Sequence, residues 1–139
     1  MKPLLLTLAL FIAAFRMAIA NGGPNTGVAS WYGEDHRGRL MANGKKFDPD
    51  QLTAASWFYP LGAKVRVTLQ EPRKEPKAVI VRITDRGPSM DLVRDGRIID
   101  LTHAAFRRLS SPRHGLVGVK VEPLAKGVRS QNDGGRDKR

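Results

Sequence analysis

Short apolar runs of period two constrain the fold of this chain more than any other feature. From Thr26, Val28, Ser30 and Tyr32 alternate with Ala29 and Trp31. Val65, Val67 and Leu69 alternate with Arg66 and Thr68, and Val117, Val119 and Val121 with Gly118, Lys120 and Glu122. Each is the signature of a half-buried strand. Arg97 to Leu101 reads as another strand, and so does Ala78 to Ile83, which is apolar enough to be covered on both faces. Only Thr102 to Leu109 has clear helical character: Thr102 caps it, Ala105, Phe106 and Leu109 form its apolar face, and Ser-Ser-Pro ends it. Pro49 to Ala55 reads as one or two helical turns capped by Asp48. Gly33 to Asp50, Glu71 to Lys77 and Leu92 to Gly96 read as loops or exposed turns. Five or six short strands with so little helix predict a mainly β barrel with one or two short helices, not a layered α/β fold.

At 139 residues the chain has room for one domain. Residues 1–20 read as a signal peptide: Lys2, an apolar run from Pro3 to Phe15, then small residues around Ala18-Ile19-Ala20. The run is short of the roughly twenty residues that span a bilayer. Residues 21–25 read as a flexible lead-in, 26–124 as the barrel, and 125–139 as a disordered basic tail. There is no cysteine, so no disulfide, thiol nucleophile or thioether lipid anchor is available. The formal charge is +11, or +9 without Lys2 and Arg16. Behind a signal peptide this favours an anionic envelope material. No nucleic-acid motif is present. His36, His103 and His114 lack metal-ligand spacing, so neither metal nor cofactor is expected.

Ile83-Thr84-Asp85-Arg86-Gly87-Pro88 is an apolar strand that ends in a carboxylate and a turn. Such a place fixes the backbone and brings the carboxylate to the surface, as an acid or base requires. The same residues also make an ordinary turn, with Asp85 accepting backbone N–H bonds. Asp100, two residues before the helix cap, reads as a structural acceptor for nearby loop N–H groups.

Taken together, the pieces resemble the rare lipoprotein A (RlpA) family of peptidoglycan-acting proteins. The match runs from about Gly27 to Leu124: Ala29-Ser30-Trp31-Tyr32-Gly33, Ala42-Asn43-Gly44 with Phe47-Asp48, Leu52-Thr53-Ala54-Ala55, Pro60-Leu61-Gly62, Val65-Arg66-Val67, Thr84 to Pro88, and Gly96 to Leu101. The resemblance implies a six-stranded double-psi β-barrel, shared with the expansins, in an exported, periplasmic protein. It also implies a lytic transglycosylase that cleaves between N-acetylmuramic acid and N-acetylglucosamine and leaves a 1,6-anhydro end. In that reaction the sugar's own 6-hydroxyl attacks, so one carboxyl can act first as acid and then as base. A glycosidase commonly needs two.

By the same resemblance Asp85 is the catalytic carboxylate, and the family's Glu after Asn-Gly and His after Leu-Thr-Ala-Ala are replaced by Lys45 and Ser56. Arg82 and Arg86 lie close to Asp85 in sequence, and positive neighbours oppose a general acid. Glu34 and Asp35 are possible substitutes for the missing Glu. Tyr32 and Trp57 are expected as exposed sugar-stacking rings, with Trp31 and Phe58 in the core. Asn43, Lys45, Ser56 and Arg86 complete the expected substrate-binding set, the partner being glycan strands met by a monomer. The rival reading is a non-catalytic, expansin-like module that grips the wall without cleaving it.

Overall fold

The computed structural model describes residues 24–72 and 75–125. The signal peptide and nearly all of the basic tail expected from the sequence lie outside the described residues. Six strands close into a barrel: β1 (Thr26–Tyr32), β2 (Thr53–Ala55), β3 (Lys64–Leu69), β4 (Ala78–Asp85), β5 (Arg97–Thr102) and β6 (Val117–Pro123). Around the barrel the order is β1-β5-β2-β4-β3-β6, with β1–β5 and β2–β4 parallel and the other pairs antiparallel. Closure leaves no strand edge open for pairing.

The period-two patterns become the barrel lining. Val65, Val67 and Leu69 of β3 meet Val79, Val81 and Ile83 of β4 and Val119 and Val121 of β6 inside the core, all at most 5% exposed. Two short helices follow β4 and β5: α1 (Met90–Arg94) and α2 (His103–Leu109). The Thr102 hydroxyl accepts the Ala105 amide, as its sequence position implied. Ala105, Phe106 and Leu109 turn inward, joined to the barrel core.

Three local expectations are corrected. Pro49 to Ala55 is not helical. Asp48 does hold a turn, its carboxylate accepting the Asp50 amide at 2.9 Å, but the chain then extends as β2. Pairing on both sides, to β4 and β5, decides this: Ala54 and Ala55 are buried between them. Leu92 to Gly96 is mostly α1, steadied by Arg94 reaching Asp91 at 3.1 Å and ended by Gly96 at φ 92°. β4 is covered on one face only: Ala78 and Arg82 are exposed and Ile80 is half-buried, because a closed barrel buries its inside alone.

Candidate active site at the barrel mouth

β4 carries Asp85 to one mouth of the barrel, where the chain turns through a cis Gly87–Pro88 peptide. The carboxylate is held from two directions: Oδ1 accepts the Arg86 amide at 2.8 Å and the Ala42 amide at 2.9 Å. Ala42 belongs to a small hairpin closed by a Leu40–Lys46 bridge and turned at Gly44, φ 82°. The Asn43 amide donates to the Thr84 carbonyl at 3.2 Å, so the hairpin tip is docked on the end of β4. The Asn43 side chain accepts the Lys45 amide at 3.0 Å, and Lys45 itself is exposed on the rim. Asn43 therefore shapes the loop, and Lys45 is presented by it.

The two arginines near Asp85 in sequence are both turned to carbonyls. Arg86 donates to Ser56 O at 2.7 Å and Tyr59 O at 2.6 Å, and Arg82 caps Gly62 O at 3.0 Å. Arg86 is thus a clamp inside the site wall. Ser56 is fully buried, with its hydroxyl donating to Ile98 O at 2.9 Å and accepting the Phe58 amide at 3.2 Å. It lies behind the mouth and not in it. Trp57 is 47% exposed, and its indole N–H is pinned to Pro88 O at 2.7 Å, which sets an open ring beside the turn that follows Asp85.

Tyr32 is not an open platform. Its ring stacks on Phe47 with centroids 4.3 Å apart and meets His36 edge-on at 5.6 Å. Its hydroxyl is buried and has no hydrogen-bond partner among the described residues. Burial, reinforced by the negative charges of Asp85 and Asp100, pushes the phenol well above its ordinary pKa, so it keeps its proton. An unpartnered buried hydroxyl under the influence of two carboxyl groups is the kind of group a ligand completes.

Asp100 is the site residue that sequence reasoning missed. It sits on β5, paired on one side with Ser30 and on the other with Ala55, and Ala55 is in turn the partner of Asp85 on β4. Two strand spacings, roughly 10 Å, thus separate the two backbones across the mouth. The Ser30 hydroxyl donates to Asp100 Oδ1. Among the described residues no loop amide is bonded to Asp100, which corrects its expected role. Burial raises its carboxyl pKa, against the opposing pull of the Ser30 bond and the nearby Arg97 and His36. Gly87 borders it closely: a Cβ there would stand 3.5 Å from Asp100 Oδ2 and 3.4 Å from Ala55. The available signal was a lone carboxylate within the otherwise apolar Ile98-Ile99-Asp100-Leu101. Chemically, the mouth holds one carboxyl biased toward its protonated form, one anchored carboxylate and a neutral phenol, with an indole ring alongside.

A closed six-stranded barrel of this order is a double-psi β-barrel. The chain belongs to the lytic transglycolase family of such barrels, whose family model matches residues 25–121. It is 40% identical over 102 residues to the endolytic peptidoglycan transglycosylase RlpA of Neisseria meningitidis serogroup A, covering 73% of this chain and 40% of that protein. The corresponding protein of Vibrio cholerae is 38% identical over 103 residues, covering 74% and 36%. The chain thus spans less than half the length of these curated relatives. Among solved structures, an expansin from Clavibacter michiganensis shares the fold with a TM-score of 0.54 at 20% identity, covering 73% of this chain and 50% of that one.

Proposed function

We propose that the chain is a periplasmic lytic transglycosylase, exported by residues 1–20, that cleaves glycan strands of peptidoglycan between N-acetylmuramic acid and N-acetylglucosamine. The observation that supports the reading is the register that sets Asp85 and Asp100 on either side of Ala55 in a barrel of this family, with both carboxyls acting electrostatically on the Tyr32 phenol. In the proposed reaction Asp100 gives its proton to the glycosidic oxygen as the bond to C1 breaks. The 6-hydroxyl of the same sugar closes on C1, and Asp85 takes that hydroxyl's proton. No water is consumed, and the product is a 1,6-anhydro end. Trp57 offers a ring on which a neighbouring sugar stacks. This arrangement supplies a carboxyl pair where Lys45 and Ser56 replace the family's Glu and His.

Incubation with purified glycan strands and mass spectrometry for anhydro ends tests the proposal. Release by the wild type that is abolished in Asp85→Asn and Asp100→Asn supports it. Absence of product, with an active relative working in parallel, overturns it.

The exposed Lys45 favours a second reading, a wall-binding module of expansin type that does not cleave. Retention on insoluble peptidoglycan unchanged by Asp85→Asn, without product, would favour that module.

A further inference from the structure

On the outside of the barrel, β3, β4 and β6 build a face whose charges the core does not require. Lys64 of β3 lies directly opposite Arg82 of β4, and on its other side the Lys64 carbonyl accepts the Leu124 amide at 2.9 Å. Arg66, two residues on, stands between Ile80 of β4 and Glu122 of β6. Val65, Val67 and Val81 between them point into the core, so these side chains point outward. Arg66 and Arg82 are exposed and Lys64 is half-buried. Residues directly opposite stand about 5 Å apart at Cα, where like charges cost stability. Yet Lys64 and Arg82 face each other with no acid between them. Glu122, the acid in register with Arg66, is engaged by Lys120 at 2.8 Å. Among the described residues no carboxylate forms an ion pair with Lys64, Arg66 or Arg82.

An exposed leucine is fixed at the edge of this cluster. In the Pro60-Leu61-Gly62 turn the Gly62 amide donates to Ile83 O at 2.7 Å, and Arg82 donates to Gly62 O at 3.0 Å. The turn is thereby held against β4, with Leu61 39% exposed. Ile80, half-buried, adds apolar surface among the same side chains. The face lies on the convex wall of the barrel, apart from the cleft of about 530 Å³ lined by Trp31, Glu34 and Asp35. Spaced cations on a convex wall suit many phosphates presented in one layer better than a single enclosed anion. A soluble polyanion would make no use of Leu61, whereas the headgroup layer of a bilayer takes both the cations and the apolar side chain.

We propose that this wall docks on the anionic phospholipid headgroups of a bilayer, with Lys64, Arg66 and Arg82 at the phosphates and Leu61 entering the headgroup layer. The exported reading above supplies the location, and the docking does not depend on glycan cleavage. Arg82 precedes Asp85 by three residues, about 10 Å along β4. Docking therefore holds the mouth of the barrel beside the membrane surface.

The test measures cosedimentation of the mature protein with vesicles of mixed phosphatidylglycerol and phosphatidylcholine, and with vesicles of phosphatidylcholine alone. Binding to the anionic vesicles should be at least about tenfold tighter and should weaken as salt rises. Lys64→Gln with Arg66→Gln should weaken it about tenfold or more, with circular dichroism unchanged. Arg82 stays in place in this variant because it caps Gly62 O. Arg107→Gln with Arg108→Gln removes the same charge from exposed positions of α2 and should cost less than about threefold. Equal losses in the two variants would overturn the proposal, leaving net charge as the attraction. So would equal binding to the neutral vesicles. A soluble polyphosphate chain bound as tightly as the vesicles, phosphate for phosphate, and equally weakened by Lys64→Gln with Arg66→Gln, would assign the face to a linear polymer and overturn the lipid surface. Cleavage is read separately on purified strands. An inactive protein that binds vesicles overturns the catalytic reading alone, and cleavage without vesicle binding overturns only this one.

Discussion

The two halves of the barrel are built from different material. β3, β4 and β6 are joined by antiparallel ladders in continuous register, with Val65 opposite Val81, Val67 opposite Val79 and Val121, and Leu69 opposite Val119. That half is a valine-lined core. β1, β5, β2 and the end of β4 are joined mainly by parallel pairs whose register shifts at Val28/Ala29 and again at Ala54/Ala55. Here the buried set includes Ser30, Ser56, Thr84 and Thr102, and the Tyr32 and Thr84 hydroxyls have no hydrogen-bond partner among the described residues. Buried polar groups without partners cost stability. The difference teaches a division of labour: one half closes the barrel with apolar surface, and the other spends conformational regularity on placing two carboxylates.

The sharpest way to break that comparison is to disturb each half and read activity and stability separately. Asp85→Asn and Asp100→Asn should each slow anhydro-end release by about a hundredfold or more, about 2.7 kcal/mol of barrier, with the fold intact by circular dichroism. Val67→Ala should do the reverse. Removing two methyl-sized groups from a fully buried position should lower unfolding free energy by about 2 kcal/mol in denaturant melts. Turnover per folded molecule should stay unchanged. If Val67→Ala slowed cleavage as much as the aspartate variants did, the halves would not be separable.

The same contrast explains what could be read from the sequence. The valine ladders of β3 and β6 announce themselves because one side of each strand is wholly apolar and the other polar. β2 does not: three residues, Thr-Ala-Ala, carry no periodicity, and only pairing to β4 and β5 makes them a strand. Asp85 was legible because a strand, a carboxylate and a turn are contiguous. Asp100 was not, since its surroundings come from Ser30, seventy positions earlier, and from β2. Tyr32 reads as a platform in the sequence because Phe47, which covers it, lies fifteen residues on across a polar loop. The resemblance points Ser56 and Arg86 toward substrate, but their hydrogen bonds go to backbone groups of Ile98, Phe58, Ser56 and Tyr59.

Those last contacts sharpen what charge reversal at the rim can do. Lys45 is exposed on a hairpin docked at Asp85, so Lys45→Glu changes the rim without touching the core. It should raise cleavage by about tenfold, at the low end of what an added acid–base group contributes. Adding Ser56→His should bring no further gain. The larger ring at a fully buried position should instead lower stability by about 1–3 kcal/mol. A double variant faster than Lys45→Glu alone would mean that position 56 opens into the mouth after all.

The smallest expected effect isolates the stability cost of the polar half. Burial raises the Asp100 carboxyl pKa in the folded protein. Between the ordinary carboxyl range and that raised value, the native state keeps a proton that the unfolded chain has already released. Stability therefore falls as pH rises through this window, so at neutral pH an ionisable group at position 100 is a net cost. Asn cannot ionise yet still presents an oxygen to the Ser30 hydroxyl. Asp100→Asn should thus be more stable than the wild type at pH 7, by about 1 kcal/mol, the usual size of such gains at functional positions. Its advantage should vanish below about pH 4, where both chains are neutral at this position. Thermal melts across that range read the difference directly. A variant less stable at every pH would mean that Asp100 supports the barrel by its charge, and the contrast between a stabilising half and a working half would fail at its centre.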